Sequence, residues 1–124
     1  MSFVAVGIGA VLGAWLRWGL SVLMNPIHSH LPLGTMVANL GGGLVIGAAL
    51  AFFNAHPALA PEWRLLVVTG FLGALTTFST FSAEAMLLLQ RGEYLWAIGH
   101  SAAHLFGAIL CCILGFALYR VLTN

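Results

Sequence analysis

Thr76-Thr77-Phe78-Ser79-Thr80-Phe81-Ser82 is the stretch that decides how this chain is read. Five of its seven residues carry hydroxyls, and the other two are phenylalanines. It lies inside the apolar run Leu65 to Leu89, which would otherwise pass for a plain membrane span. Hydrocarbon does not require hydroxyls, so such a block either bonds helices together or lines a route for something polar. Gly70 and Gly73 stand just before it. Glycines followed by clustered Ser and Thr in mid-span predict a helix that stops and restarts. That arrangement is tolerated only where the backbone is buried in protein or faces a polar cavity. A first half ending near Gly73 to Thr76 would aim carbonyls at a cation. A second half starting near Ser79 to Ser82 would offer amides and hydroxyls to an anion. Phe78 and Phe81 are three apart and share a face if locally helical.

The rest of the chain sets the class. It has 124 residues, 61% hydrophobic and 6% charged, with a mean hydropathy of +1.05. Soluble domains carry about 25% charged residues, so the composition predicts an all-α, polytopic membrane protein. There is room for about four spans of about 20 residues each. They are expected at 3–24, 35–53, 65–90 and 95–121, in one transmembrane domain covering 1–124. The N-terminus has no basic n-region and is expected to be a retained span. The cations are Arg17, Arg64, Arg91 and Arg120, and the acids are Glu62, Glu84 and Glu93. A net charge of +1 makes no basic patch and argues against nucleic acid.

Several polar residues lie inside the spans. Arg17 is well within the first and must snorkel, meet a carboxylate such as Glu84, or bind backbone carbonyls. Gly9 and Gly13 on the same span make a GxxxG pair suited to close helix contact. Asn39 lies one turn into the second span, ahead of Gly41, Gly42 and Gly43. Its amide bonds another helix or faces a pathway. In the last span, His100, His104, Gly107 or Ala108, Cys111 and Gly115 form one polar-to-small stripe. His100 and His104 have the spacing of zinc ligands, but no third ligand is visible, so packing or cavity lining is expected. Adjacent Cys111 and Cys112 are expected to be small apolar residues. The loop histidines His28 and His30 are expected to be solvated.

Arginines are nearly balanced between the two membrane sides, so the positive-inside rule has little to act on. A chain of this kind can insert both ways up. Four short helices also enclose little alone. Both points predict an antiparallel homodimer in the lipid bilayer.

Gly34-Thr35, Asn39-Leu40-Gly41-Gly42 and the run Gly70 to Ser82 closely resemble the Fluc (CrcB) family of fluoride channels, as do Arg17 and Glu84. The resemblance covers essentially the whole chain. It implies a dual-topology homodimer with two fluoride pores and a third helix broken mid-membrane. It implies a structural sodium ion at the dimer centre, held by the backbone carbonyls of Gly73 and Thr76. Phe78 and Phe81 would line the pore with Asn39, and Ser79, Thr80 and Ser82 would add hydroxyls. His100 stands where some members carry tyrosine. The role would be passive fluoride export from the cytoplasm across the bacterial inner membrane, lowering toxicity when HF enters and ionises.

The residues suit that chemistry. Fluoride is small and strongly hydrated, so a dry path must replace its water with neutral donors such as Asn39 and hydroxyls. The positive edges of phenylalanine rings face an anion weakly, and weak serial sites are what conduction needs. The competing reading is a small dual-topology, proton-coupled exporter of cationic drugs. That chemistry needs a membrane-embedded carboxylate; the first span has none and carries Arg17, and Glu84 is the only acid within the spans. No base–nucleophile pair or complete metal set points to an enzyme.

Overall fold

The computed structural model describes all 124 residues. Helix α1 runs Ser2–Met24 and ends in a 3₁₀ turn, Asn25–Ile27. Helix α2 is Leu33–Ala55. The third segment begins as α3 (Pro61–Arg64), widens into a π-helix over Leu65–Leu72 and closes as α4 (Gly73–Leu75). Helix α5 follows over Phe78–Gln90, and α6 spans Tyr94–Thr123. Four segments are long and apolar enough to cross a membrane: Ser2–Ile27, Leu33–Ala55, Pro61–Gln90 and Tyr94–Thr123.

Local chemistry sets the punctuation. Pro61 opens α3 at a position whose N–H has no helical partner in any case. The link between α5 and α6 turns on Gly92, at φ 75°. Gly92 N donates to Leu89 O and Glu93 N to Leu88 O, at 3.0 and 2.9 Å. This pair closes the C-terminus of α5 as a Schellman motif, in which glycine takes the left-handed residue without a Cβ penalty.

Backbone-to-backbone packing holds the spans together. A Cβ on Gly9 would lie 2.2 Å from Leu66 O, and one on Gly13 would lie 2.1 Å from Phe71 O. The GxxxG face of α1 therefore presses directly on the π-helical stretch. Across the molecule, a Cβ on Gly47 would lie 2.0 Å from Cys112 O, which fuses α2 to α6 in the same way. Cys111 and Cys112 are free thiols on that packed helix. Only 18 of 124 residues are buried, and large apolar side chains such as Phe3, Trp15 and Trp18 point outward. Water would reject that surface. Lipid tails do not, so the outer faces are lipid-facing.

The loop histidines have partners as well as solvent. His28 Nδ1 accepts from the backbone N–H groups of His30 and Leu31, at 3.1 and 3.0 Å. His30 stacks on Trp96, with centroids 4.6 Å apart and planes at 11°. Both stay half-exposed, as loop residues, while also meeting the turn's amides and the aromatic face at the start of α6.

Gly13→Leu should destabilise the protein by about 1–3 kcal/mol through overpacking. Gly7→Leu, where nothing lies within 4 Å of a built Cβ, should change stability by less than about 0.5 kcal/mol. Denaturation in detergent, followed by tryptophan fluorescence, measures both.

Candidate functional site

Between α4 and α5 the backbone leaves helical geometry. Thr76 has φ −84° and ψ 151°, and Thr77 has φ −148° and ψ 121°. Two extended residues inside an apolar segment present polar groups that need partners. Asn39 on α2 supplies those of Thr77. Thr77 N donates to Asn39 Oδ1 at 2.7 Å, and Asn39 Nδ2 donates to Thr77 O at 2.9 Å. The side-chain amide thus pairs with Thr77 as a neighbouring strand would. One turn along α2, a Cβ on Gly42 would lie 2.3 Å from Thr76 Cγ2, so glycine is what lets Thr76 seat there.

The hydroxyl block is largely committed to its own backbone. Thr76 Oγ1 donates to Leu72 O at 2.8 Å. Thr77 Oγ1 caps α5 by accepting from Thr80 N at 3.1 Å. Ser79 Oγ lies 3.4 Å from Thr77 Oγ1, and Ser82 Oγ donates to Phe78 O at 2.8 Å. The Thr76 carbonyl, outside both helices, accepts no backbone hydrogen bond.

Arg17 donates from Nε to Ala74 O at 2.9 Å. Of its three possible partners it takes a backbone carbonyl, the negative end of α4, and not Glu84. Glu84 is engaged elsewhere. Its Oε2 accepts from Thr35 Oγ1 at 2.7 Å, and its Oε1 lies 3.3 Å from His100 Nε2.

The two α6 histidines complete the site. Asn39 Nδ2 lies 2.9 Å from His104 Nδ1. Thr77 fixes which end of the Asn39 amide is nitrogen, so His104 Nδ1 must accept and its proton sits on Nε2. Phe81 stacks on His104 at 4.8 Å and 24°, and Phe78 meets Phe81 edge-on at 5.3 Å and 74°. Asn39, Thr76, Thr77, Phe78, Phe81 and His104 line one groove of about 600 Å³. Ser79, Thr80 and Ser82 are not part of its wall. The sequence reading did not join Glu84 to His100 and His104. The i, i+4 spacing was visible, but the third group comes from a different span.

The class follows from this arrangement: a small multi-pass membrane protein with a polar groove at a non-helical point of its third span. A family model described as "CrcB-like protein, Camphor Resistance (CrcB)" matches residues 4–116. The chain is 59% identical over 122 residues to a fluoride-specific ion channel FluC of Cupriavidus pinatubonensis, covering 98% of this chain and 97% of that one. It is 58% identical over 122 residues to the FluC of Cupriavidus metallidurans, with the same coverage. It is 54% identical over 123 residues to the FluC of Pseudomonas putida, covering 99% and 97%. The chain belongs to the CrcB family.

A double-mutant cycle of Thr35→Val and Glu84→Gln should show coupling of about 1.5–3 kcal/mol in denaturant unfolding, as expected for a hydrogen bond to a charged group.

Proposed function

We propose that this protein is a fluoride-selective channel of the bacterial plasma membrane, which lets fluoride leave the cytoplasm passively. The observation that carries the reading is the groove where Asn39, Phe78 and Phe81 meet beside the extended Thr76–Thr77 backbone. The names of its relatives support the identity of the ion.

The groove suits a small anion. The N-terminus of α5 directs positive dipole toward it. Asn39 meets the ion by exchanging its His104 contact, a neutral donor that releases what it binds. Phe78 and Phe81 turn ring edges to the ion and admit no large hydrated species. Ser79, Thr80 and Ser82 stand beside this path at the start of α5 and act on it by local rotation. Glu84 Oε2 accepts from Thr35 and Oε1 faces His100, which ties the carboxylate to its neighbours. A proton-coupled cation exporter would need that carboxylate free, so the exporter reading is the weaker one.

The working unit is an antiparallel homodimer. Phe78 is 76% exposed, so a lone protomer leaves the groove open along one side. Extended backbone is not tolerated against lipid. A second copy inserted in the opposite sense covers both, and the near balance of arginines permits it. In that unit the third helix is broken mid-membrane, between Leu75 and Phe78. A structural sodium ion would be held by the backbone carbonyls of Gly73 and Thr76 at the end of α4. When bound, it supplies positive charge to these carbonyls and neutralises the dipole end of α4. Each chain serves as one transmembrane unit from its first span to its last.

Liposomes holding this protein alone should release fluoride to a fluoride electrode and retain chloride. No fluoride release above empty liposomes overturns the channel. Phe78→Ile and Phe81→Ile should each lower the flux by about tenfold or more, with the dimer still assembled on size exclusion (one lost site contact is worth about 1.4 kcal/mol per decade). Cysteine tags at the two ends of α6 should each label from both membrane sides in cells. Labelling of each tag from one side only contradicts dual topology.

A further inference from the structure

Three neighbouring side chains carry four buried polar atoms with no hydrogen-bond partner: Glu84 Oε1, His100 Nδ1, His100 Nε2 and His104 Nε2. His100 is 0% exposed and His104 3%. Unpaired polar atoms at such depth are rare and costly. The three side chains meet between α5 and α6. Each of Glu84, His100 and His104 offers a ligand atom, and these atoms all lie within 4.8 Å of one another. In a tetrahedral zinc shell, neighbouring ligand atoms stand about 3.3 Å apart. Glu84 Oε1 and His100 Nε2 already stand 3.3 Å apart without hydrogen-bond geometry.

We infer that Glu84, His100 and His104 form a binding site for a divalent transition-metal cation of the zinc class, and that the bound cation closes the groove. Two imidazoles and one carboxylate are a borderline-soft donor set, which favours zinc over magnesium or calcium. They leave a fourth position for water. Thr35 steadies the carboxylate from behind through Oε2, as outer partners of metal ligands do.

The hydrogen-bond pattern links this site to the groove. His104 Nδ1 accepts from Asn39, so its proton is on Nε2. When the Nε2 lone pair goes to the metal, the ring proton moves to Nδ1. Nδ1–H then faces Asn39 Nδ2–H, two donors, and the contact opens. The metal and the Asn39–His104 bond therefore exclude each other. The metal also adds positive charge beside Phe81, which stacks on His104. A passing fluoride would be held there and not released. The block rests on the channel reading, whereas the binding does not.

Zinc binding to the purified protein, by equilibrium dialysis with zinc chloride, should saturate at one ion per protomer. Magnesium in large excess should not compete. His100→Ala and His104→Ala should each weaken binding by at least about tenfold. A variant with His28, His30, His56, Cys111 and Cys112 all replaced should still bind. Absence of saturable binding overturns the site and leaves water as its occupant. Loss of binding in the five-residue variant also overturns it, by placing zinc in the loops or on the thiols. In liposomes, zinc should slow fluoride release by wild type. Zinc that binds at one per protomer and leaves fluoride release unchanged overturns the block alone. Absence of fluoride release without zinc bears on the channel and not on the metal site.

Discussion

Everything at the centre of this molecule depends on how Asn39 holds Thr77. An extended pair of residues inside hydrocarbon exposes amides and carbonyls that have no water to turn to, at a cost of several kcal/mol for each unsatisfied group. The Asn39 side chain answers both the N–H and the C=O of Thr77, at 2.7 and 2.9 Å. Its remaining hydrogen reaches His104. One amide therefore ties α2 to the gap between α4 and α5 and to α6. Gly42 makes the approach of Thr76 possible, and Arg17 attends to Ala74, the carbonyl just before the gap. The non-helical turn is a built feature, with partners supplied by three other helices.

The frame around that point is made of small residues. In lipid no hydrophobic force drives helix against helix, so packing must come from close backbone approach. Gly9 and Gly13 lay α1 on the π-helical stretch, and Gly47 joins α2 to α6. These contacts fix the heights at which Asn39, Thr35 and Arg17 meet the third segment. The widened turns of Leu65–Leu72 lie directly under the α1 contact. The chain thus spends its glycines on rigidity around a single polar point, while its large apolar side chains face lipid.

Much of this could be read from the residues. Composition and the four apolar runs give the membrane class and the four spans, because hydropathy over about 20 residues leaves few alternatives. The GxxxG pair announced close contact without saying with what. Partner choice was harder. Arg17 had a carboxylate within the same apolar environment, and the pairing with Glu84 was reasonable on charge alone. It is absent because Ala74 offers Arg17 a carbonyl at a helix end, while Thr35 and His100 take Glu84. The hydroxyl block looked like a row of free donors. Three of its hydroxyls, on Thr76, Thr77 and Ser82, bond their own backbone, a local competition that spacing does not reveal. The stacking of His30 on Trp96 is not legible in the sequence, because that aromatic face comes from a helix more than sixty residues away.

The account makes Asn39 the clamp that keeps the polar point formed. Hydrogen–deuterium exchange of the Thr77 amide, in lipid nanodiscs, tests this directly. In wild type that amide should exchange slowly, and in Asn39→Leu it should exchange faster by about tenfold or more, matching the loss of a bond worth about 1–1.5 kcal/mol. Amides along the α2–α6 contact near Gly47 should keep their rates. Equal exchange at Thr77 in the two proteins would contradict the account.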